Sequence, residues 1–210
     1  MIDSPLYNLS AYMGNAPEIV RKYPHWSWYW PYLSVNRSIT PEFILENRDE
    51  DWDWYELSES EIITQELVLA TIDKPWEWDP LSQNPIITLE FIEAHLDWPW
   101  DIYGLTFNPN ITLEFIKRHM DWPWRWDWLS DNPAITLEFI EDHLHYPWEW
   151  GMCGISCNPN VTPEFVIAHL GKDWDLDDLY QTHPEIEEDS LDHYFYDPGS
   201  ESDSEGYHSE

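Results

Sequence analysis

At 210 residues and 42% hydrophobic content, the chain is long and apolar enough to bury a continuous core, which excludes wholesale disorder. Its 42 acidic residues against 9 Lys and Arg give a net charge of −33, a field that repels nucleic acid and anionic lipid and favours basic protein surfaces. Two cysteines are too few for a disulfide framework, and no apolar run approaches the roughly 18 residues of a membrane span.

The first ten residues, MIDSPLYNLS, lack the basic and apolar regions of a signal peptide, so the expected address is intracellular. Leu9 and Ser10, with Leu6 three residues earlier, match the closing columns of a unit that recurs downstream, so residues 1–15 read as an N-terminal cap. The recurring unit is clearest in NPNITLEFIKRHMDWPWRWDWLS, Asn108 to Ser130. Taking its Thr as origin, Thr40, Thr64, Thr88, Thr112 and Thr136 fall at a strict 24-residue interval, Thr162 follows after 26, and Ala16 lies one interval upstream. Each of the seven copies has an acid two residues later (Glu18, Glu42, Glu66, Glu90, Glu114, Glu138, Glu164). Each has a Trp twelve residues after the origin (Trp28, Trp52, Trp76, Trp100, Trp124, Trp148, Trp174). A period between about 20 and 50 residues marks arrays whose units bury their apolar faces against their neighbours.

Within a unit, Thr is a good helix N-cap, and Pro17, Pro41 and Pro163 stand at the first helical position, where proline is tolerated. Phe91, Ile92, His95 and Leu96 share a stripe, which predicts a first helix of about ten residues ended by the prolines at 75, 99, 123 and 147. Beyond that break, Trp54 with Leu57, Trp78 with Leu81 and Trp126 with Leu129 are three apart, as on one face of a helix of about one and a half turns. A hydroxyl column led by Ser34, Ser58 and Ser82 follows, and Asn-Pro at 84, 108, 132 and 158 closes the unit with a turn. The fold class expected is all-α, an α-solenoid of about seven helix-elbow-short-helix repeats over residues 16–182, with capping half-repeats at its ends. At roughly 8 to 10 Å between packed helices, such a stack would be a rod of roughly 60 to 70 Å. Residues 183–196 read as a C-terminal half-repeat, in which His183-Pro184-Glu185-Ile186 imitates the helix opening and Glu187 turns a polar face outward. Residues 197–210 read as an acidic disordered tail whose Ser200, Ser202 and Ser204 suit acid-directed kinases.

All 16 Trp fall in one band of the repeat. The column present in every copy reads as core and elbow packing, whereas the column of Trp26, Trp98, Trp122 and Tyr146 also holds Glu50, Lys74 and Lys172 and so reads as exposed. Those four aromatics are the candidate partner-binding residues. The repeated Glu sits where the free N–H groups and positive end of a helix favour a carboxylate. His95, His119, His143 and His169 share a column with Tyr23, Asn47 and Thr71; hydrogen bonding between successive units is favoured there over zinc, whose ligands must converge. Cys153 and Cys157 read as free thiols rather than as a zinc site with His143 and His145. No nucleophile elbow, phosphate-binding glycine loop, H-E-x-x-H or kinase signature is present, so neither an enzyme nor a cofactor is expected.

The pattern N-P-x-I-T-x-E-F-I-x-x-H-x-D-x-P-W-x-W-x-x-L-S, complete from Asn108 to Ser130, resembles the tryptophan-repeat family of large DNA viruses of protists, the mimivirus and marseillevirus groups. The resemblance spans about residues 16–182; Asn47 and Thr71 replace His, and Ser60-Glu61 replaces Asn-Pro. It implies a viral protein of the host cytoplasm or virus factory, or of the virion, without catalytic residues. The expected function is a non-enzymatic protein-protein interaction scaffold that binds a basic protein partner rather than nucleic acid or membrane. The alternatives are an acidic nucleic-acid mimic that sequesters DNA- or histone-binding proteins, and a virion structural component.

Overall fold

In the computed structural model of the protein, residues 13–184 and Ile186 are described. They contain thirteen α-helices, a single 3-10 turn at Ile155–Cys157 and no strand, so the chain is all-α over the described residues. No helix among them is long and apolar enough to cross a membrane. The expected cap residues Leu6, Leu9 and Ser10, the half-repeat beyond Ile186 and the serine-rich tail lie outside the described residues.

The chain divides into two compact units, Met1–Trp124 and Arg125–Glu210. In the first, long-arm helices α1 (Ala16–Lys22), α3 (Pro41–Glu46), α5 (Gln65–Ala70), α7 (Leu89–Ala94) and α9 (Leu113–Arg118) alternate with α2 (Trp30–Ser34), α4 (Trp54–Glu59), α6 (Trp78–Gln83) and α8 (Ile102–Phe107). The second unit holds α10 (Trp126–Leu129), α11 (Leu137–Asp142), the 3-10 turn, α12 (Pro163–Ala168) and α13 (Leu176–Thr182).

The helix starts follow from the sequence. Thr40, Thr64, Thr88, Thr112, Thr136 and Thr162 each take an extended backbone and accept the N–H of the residue three ahead, at 3.2 to 3.3 Å. The helix ends do not fall where the prolines suggest. Helices α3, α5, α7, α9, α11 and α12 have six residues each rather than ten, and they stop at the polar column, four or five residues before the elbow. At most of these ends a polar side chain bonds to the carbonyl four residues back. Asn47 Nδ2 donates to Phe43 O at 2.9 Å, Thr71 Oγ1 to Leu67 O at 2.6 Å, and Nδ1 of His95 and His143 lies 2.8 Å from the carbonyls of Phe91 and Phe139. A carbonyl can only accept, so these imidazoles carry their proton on Nδ1. Leu96 therefore leaves the expected stripe: it sits in the turn after the helix and is 48% exposed, whereas Phe91 and Ile92 are buried.

The core is a set of columns. Phe43 with Ile44, Leu67 with Val68, Phe91 with Ile92 and Phe115 with Ile116 face inward from the first helices, and Leu33, Leu57, Leu81 and Leu105 from the second. The Ile before each Thr (Ile39, Ile63, Ile87, Ile111) is buried as well. In the second unit Ile135, Phe139, Ile140, Leu129, Ile155, Val161, Phe165, Val166 and Leu179 repeat the arrangement. Where Ile102 replaces the second Trp, α8 draws close to α6, and a Cβ on Gly104 would lie 2.5 Å from Asp79 O, so only glycine fits.

Candidate functional site

The recurring Trp column is the elbow pin of every repeat. Its indole N–H donates to the backbone carbonyl of the polar-column residue five positions back: Trp28 to Tyr23, Trp52 to Asn47, Trp76 to Thr71, Trp100 to His95, Trp124 to His119, Trp148 to His143 and Trp174 to His169, all at 2.8 to 3.0 Å. A buried indole needs a partner for its N–H, and here that partner is the carbonyl freed by the early helix end. Five of the seven rings also meet the second Trp of the preceding repeat edge-on; in the first unit the centroids are 4.9 Å apart for Trp30–Trp52 and Trp54–Trp76 and 5.3 Å for Trp78–Trp100. In the second unit Trp126–Trp148 and Trp150–Trp174 do the same at 5.4 and 5.3 Å. Trp28 and Trp174 are half-buried, while the other five are buried.

Two polar ladders join successive repeats. In the first, each hydroxyl of the Ser column accepts an N–H from the next repeat, nineteen residues on: Asp53 N to Ser34 at 2.9 Å, Glu77 N to Ser58 at 3.1 Å, Asp101 N to Ser82 at 3.0 Å. Glu149 N to Ser130 and Asp175 N to Ser156 repeat it at 2.9 and 3.0 Å. The second ladder is made by the Asn of Asn-Pro, read from sequence only as a turn residue. Asn84 Nδ2 donates to Ser58 O and Ser60 O at 2.9 and 3.1 Å, and Asn108 Nδ2 reaches Ser82 O at 2.8 Å and the carbonyls of Asn84 and Ile87 at 3.2 Å. Asn158 makes the corresponding bond to Ser130 O at 2.8 Å. The Oδ1 of each carboxamide accepts the N–H two residues on, so one buried side chain closes its own turn and grips the one before.

His183 belongs to this ladder. It is 3% exposed, its Nε2 lies 3.0 Å from Asn158 O, and Ile186 N bonds to His183 O at 2.9 Å as Ile87 N does to Asn84 O. His183-Pro184 thus stands in the place of Asn-Pro and closes a repeat.

The candidate partner-binding aromatics each stack on the polar-column residue of their own repeat. Trp26 lies 4.4 Å from Tyr23, Trp98 4.2 Å from His95, Trp122 4.5 Å from His119 and Tyr146 5.6 Å from His143. Trp26 is exposed, and Trp98, Trp122 and Tyr146 are half-buried. Their column also covers the second Trp of the preceding repeat: Trp98 meets Trp78 at 5.8 Å, Tyr146 lies flat on Trp126 at 4.2 Å, and Lys172 places its ammonium 4.8 Å above Trp150. They do not form one run, because Glu50 and Lys74 separate Trp26 from Trp98.

The imidazoles of His95 and His143 bond within their own repeats rather than between them. His169 does both, with Nδ1 2.9 Å from Phe165 O and Nε2 3.5 Å from Glu141 of the preceding repeat. Glu18, Glu42, Glu66, Glu90, Glu114, Glu138 and Glu164 are all exposed. The backbone N–H groups at the start of α3 and the Thr40 hydroxyl hold the Glu42 carboxyl below its usual range. Cys153, exposed, adopts a positive φ of 55°, while burial and then the nearby Asp178 carboxylate push the Cys157 thiol up to about 11. No three His, Cys, Asp or Glu side chains among the described residues are grouped to hold a metal ion. No protein-family model, curated protein or solved structure matches the chain.

Proposed function

We propose that the protein is a non-enzymatic interaction scaffold, its repeats stacked as an α-solenoid, that binds a protein with a basic surface. The observation that carries the reading is the division of polar groups within the repeat. The recurring Thr, Ser, Asn and Trp donors and acceptors are turned inward to caps, elbows and ladders, while the recurring Glu faces solvent in every copy. A surface left with carboxylates and half-covered aromatic rings suits recognition of a basic protein. The resemblance to the tryptophan-repeat family supports a role in cells infected by a large DNA virus, in the cytoplasm, the virus factory or the virion.

The net charge of −33 favours a second reading, a nucleic-acid mimic that occupies DNA- or histone-binding proteins. Salt separates the two. Binding of a defined basic protein such as a core histone, measured by calorimetry, should weaken less than about tenfold between 50 and 300 mM NaCl if aromatic contacts anchor it, and Trp98→Ala with Trp122→Ala should weaken it further. A fall of about a hundredfold or more, indifferent to both substitutions, supports the mimic. Absence of binding at either salt overturns both.

A further inference from the structure

The second Trp of a repeat occupies the same seat in the first, fifth and sixth repeats, and only its cover differs. Trp126 meets Phe139 at 6.1 Å and the next elbow ring, Trp148, edge-on at 5.4 Å, while Trp150 meets Phe165 at 6.0 Å and Trp174 at 5.3 Å. Trp30 repeats both contacts, with Phe43 at 6.2 Å and Trp52 at 4.9 Å. A third neighbour comes from the position two residues before the elbow Trp. There Tyr146 lies flat on Trp126 at 4.2 Å, Lys172 holds its ammonium 4.8 Å above Trp150, and both rings are buried. For Trp30 the covering position is Glu50, itself exposed, and the ring is only half-buried.

We infer that the half-buried ring of Trp30, with Glu50 at its covering position, receives a lysine side chain of the partner protein, whose ammonium takes over Trp30 the place that Lys172 takes over Trp150. The inference rests on the scaffold reading above and adds a point of contact. Indole offers a cation the best of the aromatic faces, and the apolar stem of lysine lies along such a ring while its charged head stays in water. In the seventh repeat the chain supplies that cation itself, so the seat accommodates an ammonium. In the second repeat it supplies the counter-charge instead. Glu50 and Asp51 are both exposed, and the cations nearest in the chain are committed elsewhere, Lys74 to Asp49 at 2.7 Å and Arg48 to Asp73 at 2.6 Å. A carboxylate in the covering position thus leaves the ring partly open and favours a positive group to complete it.

The test titrates N-acetyl-lysine methylamide into the isotope-labelled full chain at constant ionic strength, with N-acetyl-norleucine methylamide, an apolar stem without the charge, in parallel. The expected result is a set of shifts at the Trp30 indole N–H and at the amides of residues 49–53, present with the lysine probe and absent with norleucine. Glu50→Lys supplies the ammonium from within, as Lys172 does, and should abolish those shifts. Glu90→Lys makes the same change of charge at another exposed glutamate and should alter the affinity by less than about twofold. Both positions face solvent, so both chains should fold. Equal shifts from norleucine, shifts spread over the acidic surface, shifts that survive Glu50→Lys, or none at Trp30 overturn the inference. Binding of a core histone separates the two readings: Glu50→Lys should weaken it at least about fivefold more than Glu90→Lys does. If the two variants bind the histone alike, the scaffold reading stands and this contact is lost. If no basic protein binds while the lysine probe still docks on Trp30, the contact stands and the scaffold reading falls.

Discussion

Asn108→Ala isolates the contribution of one ladder step. Asn108 is 1% exposed, and its removal takes away the donor to Ser82 O, Asn84 O and Ile87 O and the acceptor for Asn110 N. Two of those groups keep another partner: Asn84 O accepts Ile87 N at 3.0 Å, and Ile87 O accepts Asn110 Nδ2 at 2.9 Å. Ser82 O and Asn110 N are left without a side-chain partner. At about 1–3 kcal/mol for each group so orphaned, the cost is about 2–6 kcal/mol, a large part of the roughly 5–15 kcal/mol that holds a domain together. Repeat arrays depart from two-state unfolding, so a thermal melt should be paired with amide hydrogen exchange resolved by residue. The loss of protection is expected first in the turns of the third and fourth steps, at Ile87 and Ile111. Asn110→Ala is the control, because Ile87 O would keep Asn108 and the other carbonyl it serves, Pro85 O, is exposed; it should cost less than about 1 kcal/mol. Equal effects of the two substitutions, or a cost for Asn108→Ala below about 1 kcal/mol, would refute the accounting.

Trp100→Ala should cost about 3–5 kcal/mol, since it empties a buried site and strips His95 O of its indole donor, whereas Trp174→Ala, at a half-buried ring, should cost less. Chemical denaturation checks both, and an unchanged midpoint for Trp100→Ala would contradict the elbow pin. Iodoacetamide at pH 8 should alkylate exposed Cys153 while Cys157 lags by at least about tenfold, because a thiol at about 11 holds little thiolate there. The Cys157 rate should climb through pH 10, and Asp178→Asn should raise it at pH 8 by removing the carboxylate that favours the protonated thiol. Equal rates for the two cysteines by mass spectrometry would sink that account.

The repeat, its register and its helix starts are legible in the chain because they rest on local chemistry: Thr before a helix, Pro after it, Phe-Ile facing in. The helix ends are not. Pro99 is an evident breaker, but His95 acts first, and a polar residue is read as a C-terminal cap only once its ring is seen against the Phe91 carbonyl. Asn108 was legible as a turn and illegible as a joint, since its bonds to Ser82 and Asn84 span 26 and 24 residues and exist only when neighbouring repeats stack in one register. The same holds for Trp98. Its tolerance of Glu50 and Lys74 at the equivalent positions suggested a free surface, yet its ring is half-covered by His95 and Trp78, contacts that belong to two different repeats.

The few positive charges complete the logic of the surface. Arg21 reaches Glu46 at 2.7 Å, Arg48 reaches Asp73 at 2.6 Å, Lys74 reaches Asp49 at 2.7 Å, and Arg118 pairs with Glu93; every one of these pairs spans 25 residues, one repeat plus one. Four of the nine basic side chains are therefore placed at joints between neighbouring repeats, where each sets a cation between two acidic modules that would otherwise repel. Exposed pairs of this kind add little stability singly. Their effect on the surface is larger: basic charge drawn to the joints leaves the rest of the exposed face to carboxylates. Lys117 and Arg125 pair instead within their own repeats, with Glu114 at 3.6 Å and Asp127 at 2.6 Å.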